Sequence, residues 1–243
     1  MDLKDKTVLV TGGGSGIGLG IALGLAREGC KVGIAGRDEK KLLRAAREFK
    51  GEPAILTRPC DVSDRAGVER LFAWADEALG PLDILVLSAG INVVKRRMAD
   101  LDPADWDRIM AINATGVFNC LHAALPRMRK RKSGLVVNIS SVAGKRALAL
   151  AGPAYCASKF AATALGTAAG LEERPNGIRI TNIYPGEANT PILDQRPVPV
   201  PPEKKAQMVQ PEDIAAVVVT LAKLPAHVLV PELVITPLYQ EFA

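Results

Sequence analysis

Short apolar runs alternate with longer amphipathic stretches from one end of the chain to the other. Thr7–Thr11, Lys31–Ala35, Ala54–Thr57, Ile84–Ser88, Leu135–Ile139 and Arg179–Tyr184 read as buried strands. Between them the pattern predicts helices at about Gly16–Glu28, Glu39–Phe49, Asp64–Leu79, Pro103–Lys130 and Ala154–Glu173. The punctuation agrees, with Gly29 and Gly80 after helix ends and Ser63 and Asp102 at N-cap positions. Such alternation implies right-handed crossovers and an α/β fold built on a parallel sheet. There is no internal repeat. One compositional break, Gln195–Pro202, carries Pro197, Pro199, Pro201 and Pro202, so it is expected to be a loop. It follows the sixth strand, at the end of the sheet where doubly wound proteins bind ligands, and is expected to cover a substrate.

Composition narrows this picture. The chain has 243 residues, 48% of them hydrophobic, enough to bury the core of one large domain. Aromatics are only 4%, and a core of small and β-branched side chains suits helices lying close on a parallel sheet. The charged start Met1-Asp2-Leu3-Lys4-Asp5-Lys6 leads straight into a strand and does not resemble a signal peptide. No apolar run approaches the roughly 20 residues that span a bilayer, so no membrane partner and a cytoplasmic location are expected. Cys30, Cys60, Cys120 and Cys156 are scattered without ligand spacing, which points to reduced, mostly buried thiols and to no metal site. The net charge is +5, but the basic cluster Arg127, Arg129-Lys130-Arg131-Lys132 ends a predicted helix, where cations complement the dipole and stay solvated. It has no interleaved aromatic platform, so a nucleic-acid partner is not expected.

Candidate chemistry begins at Val8-Leu9-Val10-Thr11-Gly12-Gly13-Gly14-Ser15-Gly16-Ile17-Gly18, a strand, a glycine-rich turn and a helix start in that order. Glycine permits the crowded, left-handed backbone that brings amides close to a pyrophosphate, and the helix start turns its positive end to the phosphates. Gly20 and Gly24 continue the series, giving a bare helix face expected to lie against the strand layer. About 20 residues on, an NAD site places an acid on the adenosine ribose. Here the second strand ends Ile34-Ala35-Gly36-Arg37, and a cation there suits the 2′-phosphate of NADP, with Ser15 as a further donor. Asp38 is the competing acid; it reads as the N-cap of the next helix, and NAD remains possible.

Tyr155 and Lys159 lie one turn apart on a predicted helix, so they share a face. A nearby ammonium favours a phenolate, which would bring a tyrosine towards working range. Asn138-Ile139-Ser140-Ser141 ends a strand and delivers a hydroxyl to the same sheet edge. Together with Thr11-Gly12-x-x-x-Gly16-Ile17-Gly18, Asn113, Ser141 and Pro185-Gly186, the Tyr155-x-x-x-Lys159 pair resembles the short-chain dehydrogenase/reductase family in order and spacing over nearly the whole chain. The resemblance implies a three-layer Rossmann fold, one doubly wound parallel sheet of seven strands with helices on both faces, forming a single domain over residues 1–243. It implies a homotetramer or homodimer acting on a small-molecule carbonyl or alcohol. Tyr155 would be the general acid or base, Ser141 would polarise the substrate oxygen, and Lys159 would hold the nicotinamide ribose and lower the pKa of Tyr155. Asn113 would anchor a water that relays protons to Lys159. Asp61 resembles the family's adenine-contacting acid, with Val62 on the ring, and Thr190 resembles the residue that meets the nicotinamide carboxamide.

There are departures. The family's Asn-Asn-Ala-Gly is Leu87-Ser88-Ala89-Gly90 here, with Ser88 left to supply a hydrogen bond. The gap from Ser141 to Tyr155 is one residue longer than is common, so Val142–Pro153 is expected to bulge into the pocket, with Ser140 as the alternative hydroxyl. The C-terminal Leu224-Pro225-Ala226-His227-Val228 and Pro231–Pro237 resemble NADP-dependent 3-hydroxy acid and serine dehydrogenases. His122, His227, Trp74 and Trp106 read as structural. Glu187 is a candidate to orient a polar substrate, and Lys145 or Arg146 to receive a substrate carboxylate, each against a plain surface role. Residues 187–210 are expected to shape the substrate pocket. The expected activity is NADP-dependent interconversion of a carbonyl and a secondary alcohol, extending to a 3-hydroxy acid or 3-oxoacyl substrate. An NAD-preferring dehydrogenase and a non-catalytic dinucleotide-sensing protein are the competing readings.

Overall fold

The computed structural model describes residues 2–241. Among them, β1 (Thr7–Thr11), β2 (Lys31–Gly36), β3 (Leu56–Pro59), β4 (Ile84–Leu87), β5 (Gly134–Ile139), β6 (Ile178–Pro185) and β7 (Glu232–Ile235) form one sheet in the order β3-β2-β1-β4-β5-β6-β7. Every neighbouring pair is parallel. The helices are α1 (Gly16–Arg27), α2 (Glu39–Ala46), α3 (Arg65–Ala78), α4 (Pro103–Met110), α5 (Gly116–Arg131), α6 (Pro153–Glu173), α7 (Pro202–Gln207) and α8 (Pro211–Lys223).

Strand alternation sorts the core into two layers. Val8 and Val10 of β1 pack with Ile21 and Leu25 of α1 and with Ile214 and Val218 of α8. Leu9, between them, faces Leu71 and Phe72 of α3 and Leu121 and Met128 of α5. Each such side chain contributes roughly 1.5–3 kcal/mol on full burial, so both faces of the sheet must be covered. This is the expected three-layer, doubly wound fold.

Some local expectations shift. The bare face of α1 meets a helix, not the strand layer: a Cβ on Gly20 would lie 2.7 Å from Pro211 Cβ, and one on Gly24 3.0 Å from Ala215 Cβ. The third strand starts two residues later than the apolar run suggested, because it is a largely exposed edge strand that tolerates Pro59. Ser63 does not cap α3; Asp64 is the N-cap, while Ser63 donates its N–H and hydroxyl to Asp61 Oδ1 (2.9 and 2.7 Å). Asp102 caps α4 as expected, accepting from Ala104 N–H at 2.8 Å. Trp106 is 38% exposed rather than packed, whereas Trp74 packs on Gly33.

The helix expected over Pro103–Lys130 runs as α4, a π turn at Ala111–Thr115, and α5. Contrary to the reading of apolar run lengths, this segment is long and apolar enough to cross a membrane by composition alone, yet 67% of its most apolar window is buried in the protein. Burial against the sheet accounts for its apolar character. The basic end of α5 is also not simply solvated. Arg127 pairs with Glu69 and Asp76, Arg131 with Asp83, and Arg129 with Glu173. Glu173 is 1% exposed and also accepts from Asn176 Nδ2 at 2.8 Å. The Arg129 hydrogen bonds hold its pKa below the ordinary 4.5. A depressed carboxylate stabilises the fold above its unfolded pKa, and that contribution is lost as pH falls through the folded value. The wild-type melting temperature is therefore expected to fall more steeply below pH 4.5 than that of Glu173→Gln. Parallel pH–melting curves for the two proteins would dismiss the pair as a stabilising element.

Candidate active site

The order of the sheet reverses between β1 and β4, and a crevice opens beyond the carboxyl ends of strands at such a point. The β1–α1 turn fills it with bare backbone. Gly12 has φ +70°, and a Cβ there would lie 2.7 Å from the backbone of Ala89. A Cβ on Gly18 would lie 2.4 Å from the Gly12 carbonyl oxygen and 3.2 Å from Ser88 Oγ. Ser88 and Ala89 thus brace the glycine turn from β4. Gly16 (φ +54°) lies under Thr190, whose Cβ would be 3.1 Å from an added Cβ. Gly14 has room for a side chain, so crowding does not require glycine there. Gly13 does need to be bare, with Ile34 only 2.7 Å from an added Cβ. Ser15 is the N-cap of α1 with its hydroxyl uncommitted to the helix, Ile17 is half-buried, and the first turn carries no acid. The free N–H groups and positive dipole end face the crevice, as an anion requires.

At the end of β2, the Asp38 carboxylate accepts from Lys41 N–H (3.0 Å) and caps α2. Asp38 thus holds the start of α2 and does not line the neighbouring cleft, whereas Arg37 does. Arg37 is exposed and shares a cleft of about 390 Å³ with Arg58, Cys60, Asp61, Asp64 and Arg70. Ser63 occupies one Asp61 oxygen and so orients the carboxylate. Val62 is turned away from the cleft: it is 6% exposed and fills the space beside Gly116. That placement leaves little of it for a ring to cover.

The catalytic candidates meet at the ends of β5 and α6. Ser141 caps the short turn after β5, accepting from Ala143 N–H at 3.1 Å, and its hydroxyl faces the Tyr155 phenol. Ser140 is committed elsewhere, bonding the Lys159 carbonyl (3.1 Å) and Thr163 (2.9 Å). Within the longer loop, residues 146–150 run exposed. Lys159 is 6% exposed; its Nζ donates to the Ile139 carbonyl at 2.9 Å and sits 5.7 Å from the centroid of the Tyr155 ring. Burial lowers its pKa to about 8. A Cβ on Gly90 would lie 3.6 Å from that Nζ and 3.5 Å from Asn113 Oδ1.

Asn113 belongs to the π turn and is fully buried. Its side chain accepts from Ile91 N–H (2.8 Å) and donates to the Ile91 carbonyl (2.9 Å) and Ser158 Oγ (3.0 Å). The amide is therefore spent on structure. Tyr155 departs from expectation: burial pushes its phenol up to about 12, the Ser141 hydroxyl and Arg96 pull it down, and Lys159 does not dominate.

Comparisons with known proteins bear on the family and the fold. The short chain dehydrogenase family profile matches residues 6–198. An uncharacterized oxidoreductase of Staphylococcus aureus strain MW2 is 33% identical over 97% of this chain and 98% of its own. A glycine betaine reductase of Emericella nidulans is 37% identical over 97% of this chain, which spans only 19% of that longer protein. Among solved structures, an alcohol dehydrogenase of Thermococcus sibiricus complexed with 5-hydroxy-NADP has a TM-score of 0.87 at 29% identity, covering 98% of this chain and 99% of the other. A serine dehydrogenase complexed with NADP+ gives 0.87 at 28% identity, with 98% and 97% covered.

The chain belongs to the short chain dehydrogenase family.

As a short chain dehydrogenase it is an oxidoreductase, and its remaining candidates sort by position. Pro185 ends β6, and Gly186 donates its N–H to the Ile235 carbonyl at 2.8 Å. Lys145 pairs with Glu232 and lies 4.5 Å from the centre of the Tyr184 ring. Arg146 is exposed, as are His122, which stacks on Phe118, and His227. Glu187 is neither a free substrate ligand nor a solvated acid. It accepts from Arg196 (2.9 Å) and Tyr239 (2.6 Å), and Lys204 is 3.5 Å away. It thereby pins the segment after β6 and the C-terminal tail. The sequence reading missed Gly13, Arg58 and Arg96. Only Gly13 carried a signal there, as one more glycine in the turn.

Proposed function

We propose that this short chain dehydrogenase interconverts a carbonyl and a secondary alcohol, using NADP. What carries the reading is the meeting of the Ser141 and Tyr155 hydroxyls beside buried Lys159, together with a glycine cradle after β1 and Arg37 at the end of β2. Gly12, Gly16 and Gly18 leave the space that a pyrophosphate needs, and Ser15 and the α1 N-terminus meet its charge. Arg37, with Arg58 opposite, receives the 2′-phosphate, while Asp61 meets the adenine edge. Thr190, Pro185-Gly186 and Ser88-Ala89-Gly90 border the nicotinamide end. The bound dinucleotide supplies or accepts the hydride. Ser141 donates to the substrate oxygen and polarises it. Tyr155 Oη gives that oxygen a proton in reduction and takes one in oxidation. Lys159 holds ribose hydroxyls, and the π turn at Asn113 anchors the water that connects Lys159 to solvent.

Residues 1–243 act as one domain, and segment 187–210 covers the substrate. Similarity to the serine dehydrogenase structure and the Pro231–Pro237 segment support a 3-hydroxy acid or 3-oxoacyl substrate. Phe118, Phe160 and Leu171, exposed on α5 and α6, support self-association as a homodimer or homotetramer. The test is a panel of ketones, aldehydes and hydroxy acids, assayed with NADPH or NADP+ and with NADH or NAD+. Turnover with a kcat/KM favouring the phosphorylated cofactor is expected. A preference for NADH would overturn the cofactor assignment, and dinucleotide binding with no turnover on the whole panel would make the chain a sensor.

A further inference from the structure

Arg96 lies in the loop after β4 and is 7% exposed. Its Nε donates to the Val93 carbonyl (2.8 Å), one terminal nitrogen to the Leu150 carbonyl (3.3 Å), and the other to the Gln195 carbonyl. These carbonyls come from three loops at the same sheet edge: after β4, between β5 and α6, and in the segment after β6. The backbone around Arg96 also abuts Gly152, the N-cap of α6; with φ +81°, that glycine has its would-be Cβ 2.5 Å from the Arg96 carbonyl oxygen and 2.9 Å from Arg96 Cβ. Tyr155 stands three residues further on. Among the described residues no carboxylate pairs with Arg96. Its partners satisfy its N–H groups without cancelling its charge, and burying an uncancelled charge is costly.

We propose that Arg96 is a positioning residue for Tyr155: its guanidinium staples the three loops that frame the phenol and keeps an uncompensated positive charge on the pocket side of α6. This rests on the reading of Tyr155 as the proton-transfer group. The planar fork of arginine reaches three carbonyls at once, which a lysine ammonium on a flexible stem does not reproduce. The charge and the phenol act on each other. Arg96 lowers the Tyr155 pKa against burial, as does the Ser141 hydroxyl, while Cys156 raises it. Lys159 lies over the ring, and Arg196, itself paired with Glu187, faces Arg96 and lowers its pKa after burial. One cation therefore bears both on where the phenol sits and, alongside burial and the Ser141 hydroxyl, on how readily it loses its proton.

The test uses full-length protein labelled with 13C at tyrosine Cζ, with the Tyr155 signal assigned by its loss in Tyr155→Phe. Arg96→Gln removes the charge; Arg96→Lys keeps it but removes the fork. The Tyr155 signal is expected to begin titrating at higher pH in Arg96→Gln than in wild type and to stay in place in Arg96→Lys. In both variants substrate KM is expected to rise roughly tenfold, the loss of one positioning hydrogen-bond set, with NADPH affinity unchanged. An unmoved titration in a folded Arg96→Gln protein would reduce Arg96 to a structural staple and overturn the proposal. Should Arg96→Gln not fold, a wild-type KM in Arg96→Lys would overturn it equally. A moved titration in a protein without turnover would uphold the positioning and sink the functional reading alone.

Discussion

Replacing Tyr155 by Phe is expected to lower kcat for carbonyl reduction by about 10²–10⁴-fold, the usual contribution of a placed general acid. The substitution removes one oxygen and leaves the ring, so the contact with Lys159 at 5.7 Å from the ring centroid and the packing of α6 persist. NADPH affinity, measured by fluorescence titration, is expected to be unchanged. The direction of the wild-type pH profile follows from burial, which pushes the phenol up to about 12. Across neutral pH it is protonated and ready to donate, so the phenol itself sets no limit on reduction until strongly alkaline pH. Lys159, which burial lowers to about 8, loses its charge in between and should set any earlier decline. Oxidation needs the phenolate and should rise with pH over the same range. More than a tenth of wild-type reduction surviving in Tyr155→Phe would remove Tyr155 from the chemistry.

The sheet was legible because each central strand is a short apolar run buried on both faces. β1 and β4 were placed nearly residue for residue. The edge strand β3 was not, since only one neighbour and little burial hold it, and the apolar run then no longer marks the paired residues. The glycine turn and the Tyr155–Lys159 pair were legible because their spacing is local. What escaped depends on distant packing. Glycines spaced four apart show that a helix face is bare, yet whether it meets a strand or α8 is decided nearly 200 residues later. Glu187 and Arg96 carry no local signature. Their partners, Tyr239 and Gln195, come from other segments and become neighbours only when the loops after β4 and β6 and the C-terminal tail converge. The phenol's pKa escaped for the same reason. A lysine one turn away suggested a downward shift, but desolvation by the whole pocket is the larger effect.

Arg37→Ala is expected to lower kcat/KM for NADPH by roughly tenfold while leaving NADH almost unaffected. A charge-assisted hydrogen bond contributes about 1.5–3 kcal/mol, and about 1.4 kcal/mol corresponds to a tenfold change. Arg37 is exposed, which places the effect at the lower end of that range. Arg58 lines the same cleft and should partly hold the phosphate when Arg37 is lost. The double variant Arg37→Ala/Arg58→Ala is therefore expected to lose about a hundredfold, and the two effects need not add, because both cations address one anion. Raising the salt concentration should weaken NADPH binding to wild type more than to the double variant, since screening acts on the charges that the variant lacks. Asp38 would be the natural competitor for an NAD ribose, but its carboxylate already caps α2 through Lys41 N–H. Removing Arg37 thus costs NADPH without creating an NAD site. A matching loss with NADH would show that Arg37 holds a part common to both cofactors, and the case for NADP would then rest on the glycine turn alone, which cannot distinguish them.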